Sequence, residues 1–382
     1  MCNALEGEKI RIMGIIVGLP IGGATEKEYQ VRFGKNMAVQ VEMRAPLLPA
    51  EWAAQSGIQL TWPHAGTDWA YMLDEVQACF VVLAREIALR EKLLIVTPEP
   101  EEVKQQIAAT VHMDNVCFLK CETNDTWARD HGAITLLDAV GPSLLDFKFN
   151  GWGLKYASDK DNQITRQAVE AGVLKGNYVN CLNFVLEGGS FESDGMGTLL
   201  TTSECLLSPN RNGQMNQVEI EDYLRSVFHL ERVLWLDHGY LAGDDTDSHI
   251  DTLARFCSSD TIAYVQCSDV KDEHYEELHK MEEQLKTFRT LSGEPYRLLP
   301  LPMVDKIEKG AERLPATYAN FLIMNDAVLY PTYAQPENDA RAKEVLKEAF
   351  PDYEIVGIDC RALIKQHGSL HCVTMQYPVG IL

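Results

Sequence analysis

Gly197-Thr198-Leu199-Leu200-Thr201-Thr202 is a glycine-led run of β-branched and aliphatic residues, and the segment from Val218 to Val227 beyond it carries its apolar residues at helical spacing. A short run of the first kind, opened by a small residue, fits a strand, and the 3.6-residue period of the second fits an amphipathic helix. The same order recurs. Gly57-Ile58-Gln59-Leu60-Thr61-Trp62 precedes a helical stretch from Met72 to Glu91, and Gly132-Ala133-Ile134-Thr135-Leu136-Leu137 precedes one from Asp161 to Ala171. Thr261-Ile262-Ala263-Tyr264-Val265 precedes Glu273 to Phe288, and Ala327-Val328-Leu329-Tyr330-Pro331 precedes Asp339 to Phe350. Strands alternating with helices along the chain predict an α/β fold. The runs start about 60 to 75 residues apart, too unevenly for a strict sequence repeat.

Composition narrows the class. A chain of 382 residues, 46% apolar and without eighteen uninterrupted apolar residues, predicts a soluble globular protein with no membrane partner. Its formal charge of −22 excludes a nucleic-acid surface, which needs clustered Lys and Arg, and suits a small cationic ligand. The ten cysteines form no C-x-x-C pair and sit mostly in apolar stretches such as Ala78-Cys79-Phe80-Val81-Val82. They read as reduced thiols of a cytoplasmic protein. Ile12 to Ala24 is apolar and follows Lys9 and Arg11, but Glu6, Glu8 and Pro20 spoil a signal peptide. Residues 1–42 are therefore expected to be a poorly structured N-terminal extension. Gly and Pro are scattered, no low-complexity linker divides the rest, and residues 43–382 are expected to form a single catalytic domain. A homo-oligomer is compatible with such a chain.

The chemistry-bearing residues are spread widely. Gly368-Ser369-Leu370-His371-Cys372-Val373-Thr374-Met375-Gln376 places a cysteine just past a small-residue turn and at the start of an apolar run. Three other segments offer carboxylates beside turn-forming residues: Asn124-Asp125-Thr126-Trp127-Ala128-Arg129-Asp130, Leu186-Glu187-Gly188-Gly189-Ser190, and Gly243-Asp244-Asp245-Thr246-Asp247-Ser248-His249-Ile250-Asp251. On extended backbone His249 and Asp251 point to one face and could enter one pocket. A thiol, an imidazole and several carboxylates suit nucleophilic catalysis on a cation.

Pro49-Ala50-Glu51-Trp52, Leu60-Thr61-Trp62-Pro63-His64, the three segments above, Asn210-Arg211-Asn212 and the Cys372 segment, in this order, resemble the agmatine deiminases and bacterial-type peptidylarginine deiminases of the guanidino-group-modifying superfamily. The resemblance implies a five-fold pseudosymmetric α/β propeller, the pentein fold, in which distant motifs meet near a central axis. It also implies site residues. Asp130 and Asp251 match the family's guanidinium-binding aspartates, Cys372 its nucleophile, His249 its general acid and base, and Glu187 the glutamate that orients and charges that histidine. Trp127 is expected to lie against the substrate, Arg129 to brace its own segment through an ion pair, and Asp245 to meet a terminal amine. Ser369-Leu370 stands where the family often has Asn-Ile, and Asp245 where some agmatine-specific members have Glu.

The implied reaction is hydrolytic deimination of a small cationic guanidine, with agmatine ahead of peptidyl-arginine and free arginine. Guanidinium carbon is a poor electrophile, so the reaction calls for a thiolate and for carboxylates that pair with the planar N–H fork. Carboxylates around Cys372 should raise its pKa, while His249 is expected to work near its ordinary value. No cofactor is implied. The Asp244–Asp251 run looks superficially like a metal site, but no window of it has the glycine and glutamate of an EF-hand, and the ligand motifs of manganese ureohydrolases are absent. A non-catalytic binder of arginine-like ligands is the distant alternative.

Overall fold

A computed structural model describes residues 29–33, 37–41, 47–138 and 141–382. The α/β expectation holds, and among the described residues five sheets share one plan. In each, a first strand runs antiparallel to a second, which runs parallel to a third. The first sheet orders Thr374–Pro378, Gln55–Thr61, Lys92–Thr97 and a fourth strand, Val116–Lys120. The second has Ile134–Leu136, Ser143–Lys148 and Asn177–Val185; the third has Phe191–Ser193, Thr198–Thr202 and Arg232–Leu236. Ala254–Ser258, Thr261–Gln266 and Arg297–Pro302 make the fourth, and Leu322–Ile323, Ala327–Thr332 and Glu354–Asp359 the fifth.

Parallel neighbours need a crossover, and helices supply it. Leu73–Ala88, Ile164–Glu170, Gln217–Phe228, Tyr275–Thr287 and Pro336–Ala349 each join the second strand of a sheet to its third. The first of these buries Val76, Phe80, Leu83 and Ile87 along one stripe, as an amphipathic helix against a sheet must. Asn216 caps Gln217–Phe228 in a reciprocal arrangement with Glu219, satisfying two backbone N–H groups that the first turn leaves free.

Four of the five sequence-predicted strands are the central strands of their sheets. The run 132–137 is the exception: it supplies the edge strand Ile134–Leu136, and the central position belongs to Ser143–Lys148. The expectation for residues 1–42 falls largely outside the described residues; within it, Tyr29–Phe33 and Met37–Val41 pair antiparallel. None of the described helices is long and apolar enough to cross a membrane.

The repeated plan positions the candidate functional groups. In every sheet the segment leading into the first strand carries them: Asp130 before Ile134–Leu136, Glu187 and Gly189 before Phe191–Ser193, His249 and Asp251 before Ala254–Ser258, Asn320 before Leu322–Ile323, and Cys372 before Thr374–Pro378.

Candidate active site

Gly189 is the point on which three of these segments converge. A Cβ on it would lie 2.7 Å from His249 Nδ1, 2.9 Å from Asp130 Oδ1 and 3.1 Å from Asp251 Oδ2, so only glycine leaves these groups room to meet. The Gly189 N–H donates to Asp130 Oδ1 at 2.9 Å, and Trp152 Nε1 donates to Asp130 Oδ2 at 2.9 Å. His249 Nδ1 stands 3.7 Å from Asp130 Oδ1. His249 Nε2 and Asp251 Oδ1 are buried without a hydrogen-bond partner. Such atoms cost free energy unless something polar meets them, and here they mark where a ligand's donors and protons would be received.

Cys372 adjoins this group. Its Sγ lies 3.3 Å from Asn320 Oδ1 and 4.0 Å from Asp251 Oδ2. Asn320 Oδ1 also accepts the backbone N–H groups of His371 and Cys372, at 2.9 and 3.3 Å, which fixes the orientation of the amide and the course of the turn. The Arg129 N–H donates to the Cys372 carbonyl at 3.1 Å, tying the Asp130 segment to the cysteine. Gly368 opens the turn against the face of Trp127, where a Cβ would overlap ring carbon Cζ3 at 2.0 Å.

Burial dominates the electrostatics. It pushes the Cys372 thiol well above its ordinary pKa, and Asp251 and Asp130 push it further, as the sequence predicted. Burial likewise raises Asp130 far above the usual carboxylate range, with Asp251 and Glu187 adding to it. For Asp251 burial also raises, but the hydrogen bond and charge of His371, together with His249 and Arg255, outweigh it and the net shift is downward. His249 corrects the sequence expectation of a near-ordinary value. Burial drives it down to about 3, against the opposing charge of Asp251, so the ring is neutral in this state.

The structure brings Cys372, His249, Asp130 and Asp251 together and sets the other expected residues around them. Glu187 gives both carboxylate oxygens to Arg211 Nε, each at 3.0 Å. Arg211 then reaches Asp247 Oδ2 and the Thr246 carbonyl, so Glu187 holds the His249 loop through Arg211 and has no direct hydrogen bond to the ring. Trp127 packs between Trp69 and Trp152, with ring centroids 5.8 and 6.3 Å away. Asp245 lies outside the cluster. Its carboxylate takes the Tyr156 hydroxyl at 2.9 Å, and the Tyr156 ring packs 5.5 Å from Trp152, the donor to Asp130. Arg129 Nη2 stands 3.9 Å from Glu51.

Sequence reading passed over Asn320, Trp152 and His371. Asn320 had one available signal: it precedes a first strand at the place the other four site segments occupy. Among the described residues, two buried clusters have metal-ligating side chains, Glu187 with Cys205 and His249, and Glu51 with Glu192 and His371. In both, arginine already neutralises the carboxylates: Arg211 holds Glu187, and Arg255 holds Glu51 and Glu192. That is the chemistry of a buried ion-pair network.

Comparison with known proteins places the chain. The model of the Porphyromonas-type peptidyl-arginine deiminase family matches residues 47–378. A crystal structure from Porphyromonas gingivalis, provisionally named an arginine deiminase, is 52% identical, covers 88% of this chain and 100% of its own, and superposes with a TM-score of 0.84. The C. jejuni agmatine deiminase with substrate bound is 37% identical, covers 88% and 98%, and gives 0.82. The agmatine deiminase of Ectopseudomonas mendocina is 30% identical over 355 residues, 87% of this chain and 95% of that one.

Proposed function

This chain belongs to the Porphyromonas-type peptidyl-arginine deiminase family, and from that premise we propose that it hydrolyses agmatine to N-carbamoylputrescine and ammonia. The observation that carries the reading is the convergence of Asp130, His249 and Asp251 on Gly189 with the Cys372 thiol 4.0 Å from Asp251. Two carboxylates flanking one point match a guanidinium fork, and a thiol beside them can reach its carbon. The five like sheets support a five-fold pseudosymmetric propeller formed by residues 43–382, with the site segments meeting at its axis. Free thiols at the nine described cysteines support a cytoplasmic location.

Each group has a role in the reaction. The arriving cation favours the ionised forms of Asp130 and Cys372, which burial disfavours in its absence. The thiol proton passes to His249, the thiolate bonds to the guanidinium carbon, and His249 returns the proton to the nitrogen whose C–N bond breaks. Ammonia leaves and an S-alkylthiouronium remains on Cys372. His249 then takes one proton from water as its oxygen attacks the same carbon, the C–S bond breaks, that proton goes back to sulfur, and the second proton of the former water leaves to solvent, where the released ammonia takes it up as ammonium.

Asp245 and Tyr156, linked to Asp130 through Trp152, favour a substrate with a second positive charge at its far end. The second reading is peptidyl-arginine or free arginine, favoured by the family's own description and by the name of the 52%-identical structure. Purified full-length protein assayed with agmatine, arginine and a blocked peptidyl-arginine separates them, with ammonia and ureido product measured together. Agmatine should give the highest kcat/KM. Preference for blocked peptidyl-arginine by about tenfold or more, ~1.4 kcal/mol in transition-state binding, would install the second reading, and no ammonia from any guanidine would overturn both.

A further inference from the structure

His371, the neighbour of Cys372, is buried and its ring lies in a charged cluster. Its Nδ1 lies 2.7 Å from Asp251 Oδ2 and its Nε2 lies 2.7 Å from Glu51 Oε2. The ring cannot drift from this position. The His371 backbone N–H donates to Asn320 Oδ1, its carbonyl accepts from the Thr374 N–H at 3.0 Å, and Glu51 is itself held by the Ile323 N–H at 2.7 Å and by Arg255 Nη2 at 2.7 Å, an atom that also lies 3.1 Å from His371 Nε2. Glu51 comes from the Pro49–Trp52 motif, which had no assigned task in the sequence.

An ionised carboxylate only accepts hydrogen bonds, so a 2.7 Å contact with Asp251 Oδ2 requires the proton on Nδ1. The bond occupies one oxygen of Asp251 and leaves the other, Oδ1, without a partner. We propose that His371 is a positioning residue that sets the rotation of the Asp251 carboxylate, anchoring it through the ring to Glu51 and so presenting Oδ1 to the guanidinium. The inference rests on the deiminase reading for the identity of what Oδ1 receives, but the Nδ1–H···Oδ2 bond can be tested without turnover.

The two amide isosteres of histidine separate the halves of this role. An Asn side chain places its N–H donor where Nδ1 stands, and Gln places its donor where Nε2 stands. His371→Asn therefore keeps the bond to Asp251 and loses the one to Glu51, whereas His371→Gln does the reverse. His371→Asn should retain kcat/KM for agmatine within about tenfold, and His371→Gln should lose about a hundredfold, the size of effect expected when a reacting group is misplaced by an ångström. The pH profile gives a readout that a merely structural role leaves unmoved. Asp251 faces the cations Arg255 and Arg129, the carboxyls of Asp130 and Glu192, and His249 and Cys372. His371 is the partner whose loss takes away its hydrogen bond, so the acid limb of kcat/KM should move to higher pH in His371→Gln and stay in place in His371→Asn. Equal losses in the two variants, or a better Gln variant, would overturn the proposal.

Should either variant fail to fold, the wild-type protein decides. With 15N-labelled histidine, the His371 ring should show a protonated, slowly exchanging Nδ1 at neutral pH. An unprotonated Nδ1 sinks the inference even if agmatine is turned over. A protein that hydrolyses no guanidine yet shows this proton would retain the bond and lose only the deiminase reading.

Discussion

Asp130 and Asp251 are the same side chain on two sides of Gly189, yet the fold drives their acidities apart. Both are buried, and burial alone raises a carboxyl pKa. Asp251 has a histidine donor and nearby Arg255 to oppose it, whereas Asp130 has the neutral donors Trp152 and Gly189 and the repulsion of Asp251 and Glu187. The two are thus split before a cation arrives, Asp130 the weaker acid and Asp251 the stronger, and a bound cation favours the ionised form of both. Binding of agmatine should accordingly release about one proton from Asp130 near neutral pH, by linkage between ionisation and ligation. Calorimetry on Cys372→Ser, where neither turnover nor the thiol proton contributes, measures this if repeated in two buffers of different ionisation enthalpy. The binding heat should differ between the buffers by about one proton's worth and the difference should vanish when Asp130→Asn is added. A buffer-independent heat for Cys372→Ser would mean that Asp130 is already ionised. His249 belongs to the same scale: its residue type and place were legible in the sequence, while its depression to about 3 comes from burial by segments distant in the chain.

The elements that build the site are short turns ahead of short strands, and this decides what the sequence made legible. Central strands such as Thr198–Thr202, buried throughout, and long helices such as Leu73–Ala88 carry clear apolar patterns. Outer third strands do not: Asn177–Val185 is exposed along much of its length, and Arg297–Pro302 contains Pro300 and Pro302, residues tolerated where no ladder partner is needed on that side. Cys372, His249, Asp130 and Asp251 were found because their segments match a family pattern. Asn320 and Trp152 act through hydrogen bonds whose partners lie 52 and 22 positions away, which no local pattern announces. The His249 turn also carries strain that sequence does not show. Asp247 and Ser248 both have left-handed backbone, φ 63° and 59°, at a cost of order 1 kcal/mol or more each, offset by Arg211 and Lys155 on Asp247 and by Asp244 on the Ser248 N–H. The Gly188–Ser190 turn allows a direct test. Gly189→Ala inserts a methyl group among His249, Asp130 and Asp251 at 2.7 to 3.1 Å, closer than side chains tolerate. It should reduce kcat/KM for agmatine by at least about a hundredfold while the circular dichroism spectrum stays that of the parent. An Ala variant within a few-fold of the parent would show that the turn is not the meeting point.

Across the whole molecule, Thr374–Pro378 pairs with Gln55–Thr61, so the Cys372 turn is held by a sheet made from both ends of residues 47–382. Much of the interior between is ionisable, and this gives stability a particular pH dependence. Burial lifts Glu91, Asp125, Asp161 and Glu192 each to about 7, and it lowers His131 and His249 each to about 3. An acid whose folded pKa is raised binds protons in the folded state that the unfolded chain does not hold, so stability rises as pH falls from 8 through 7. Below about 6.5 the unfolded histidines bind protons that His131 and His249 refuse, which opposes any further gain. The net charge of −22 adds self-repulsion on the alkaline side. Thermal unfolding followed from pH 5 to 8.5 should therefore show Tm climbing as pH falls from 8.5 to about 6 and climbing less steeply below, because two histidines offset only part of four carboxyls. Glu91 offers a clean probe, because its Oε2 is buried without a partner while Oε1 takes only the Asn325 N–H at 3.3 Å. Glu91→Gln should raise Tm at both pH values and more at pH 8, where the parent buries a charge, than at pH 6, where folding need only return a proton that the unfolded glutamate has lost, a difference on the order of 1–2 kcal/mol. A parent protein most stable at pH 8 or above, or a Glu91→Gln shift equal at both pH values, would show that these carboxyls are already ionised in the folded chain.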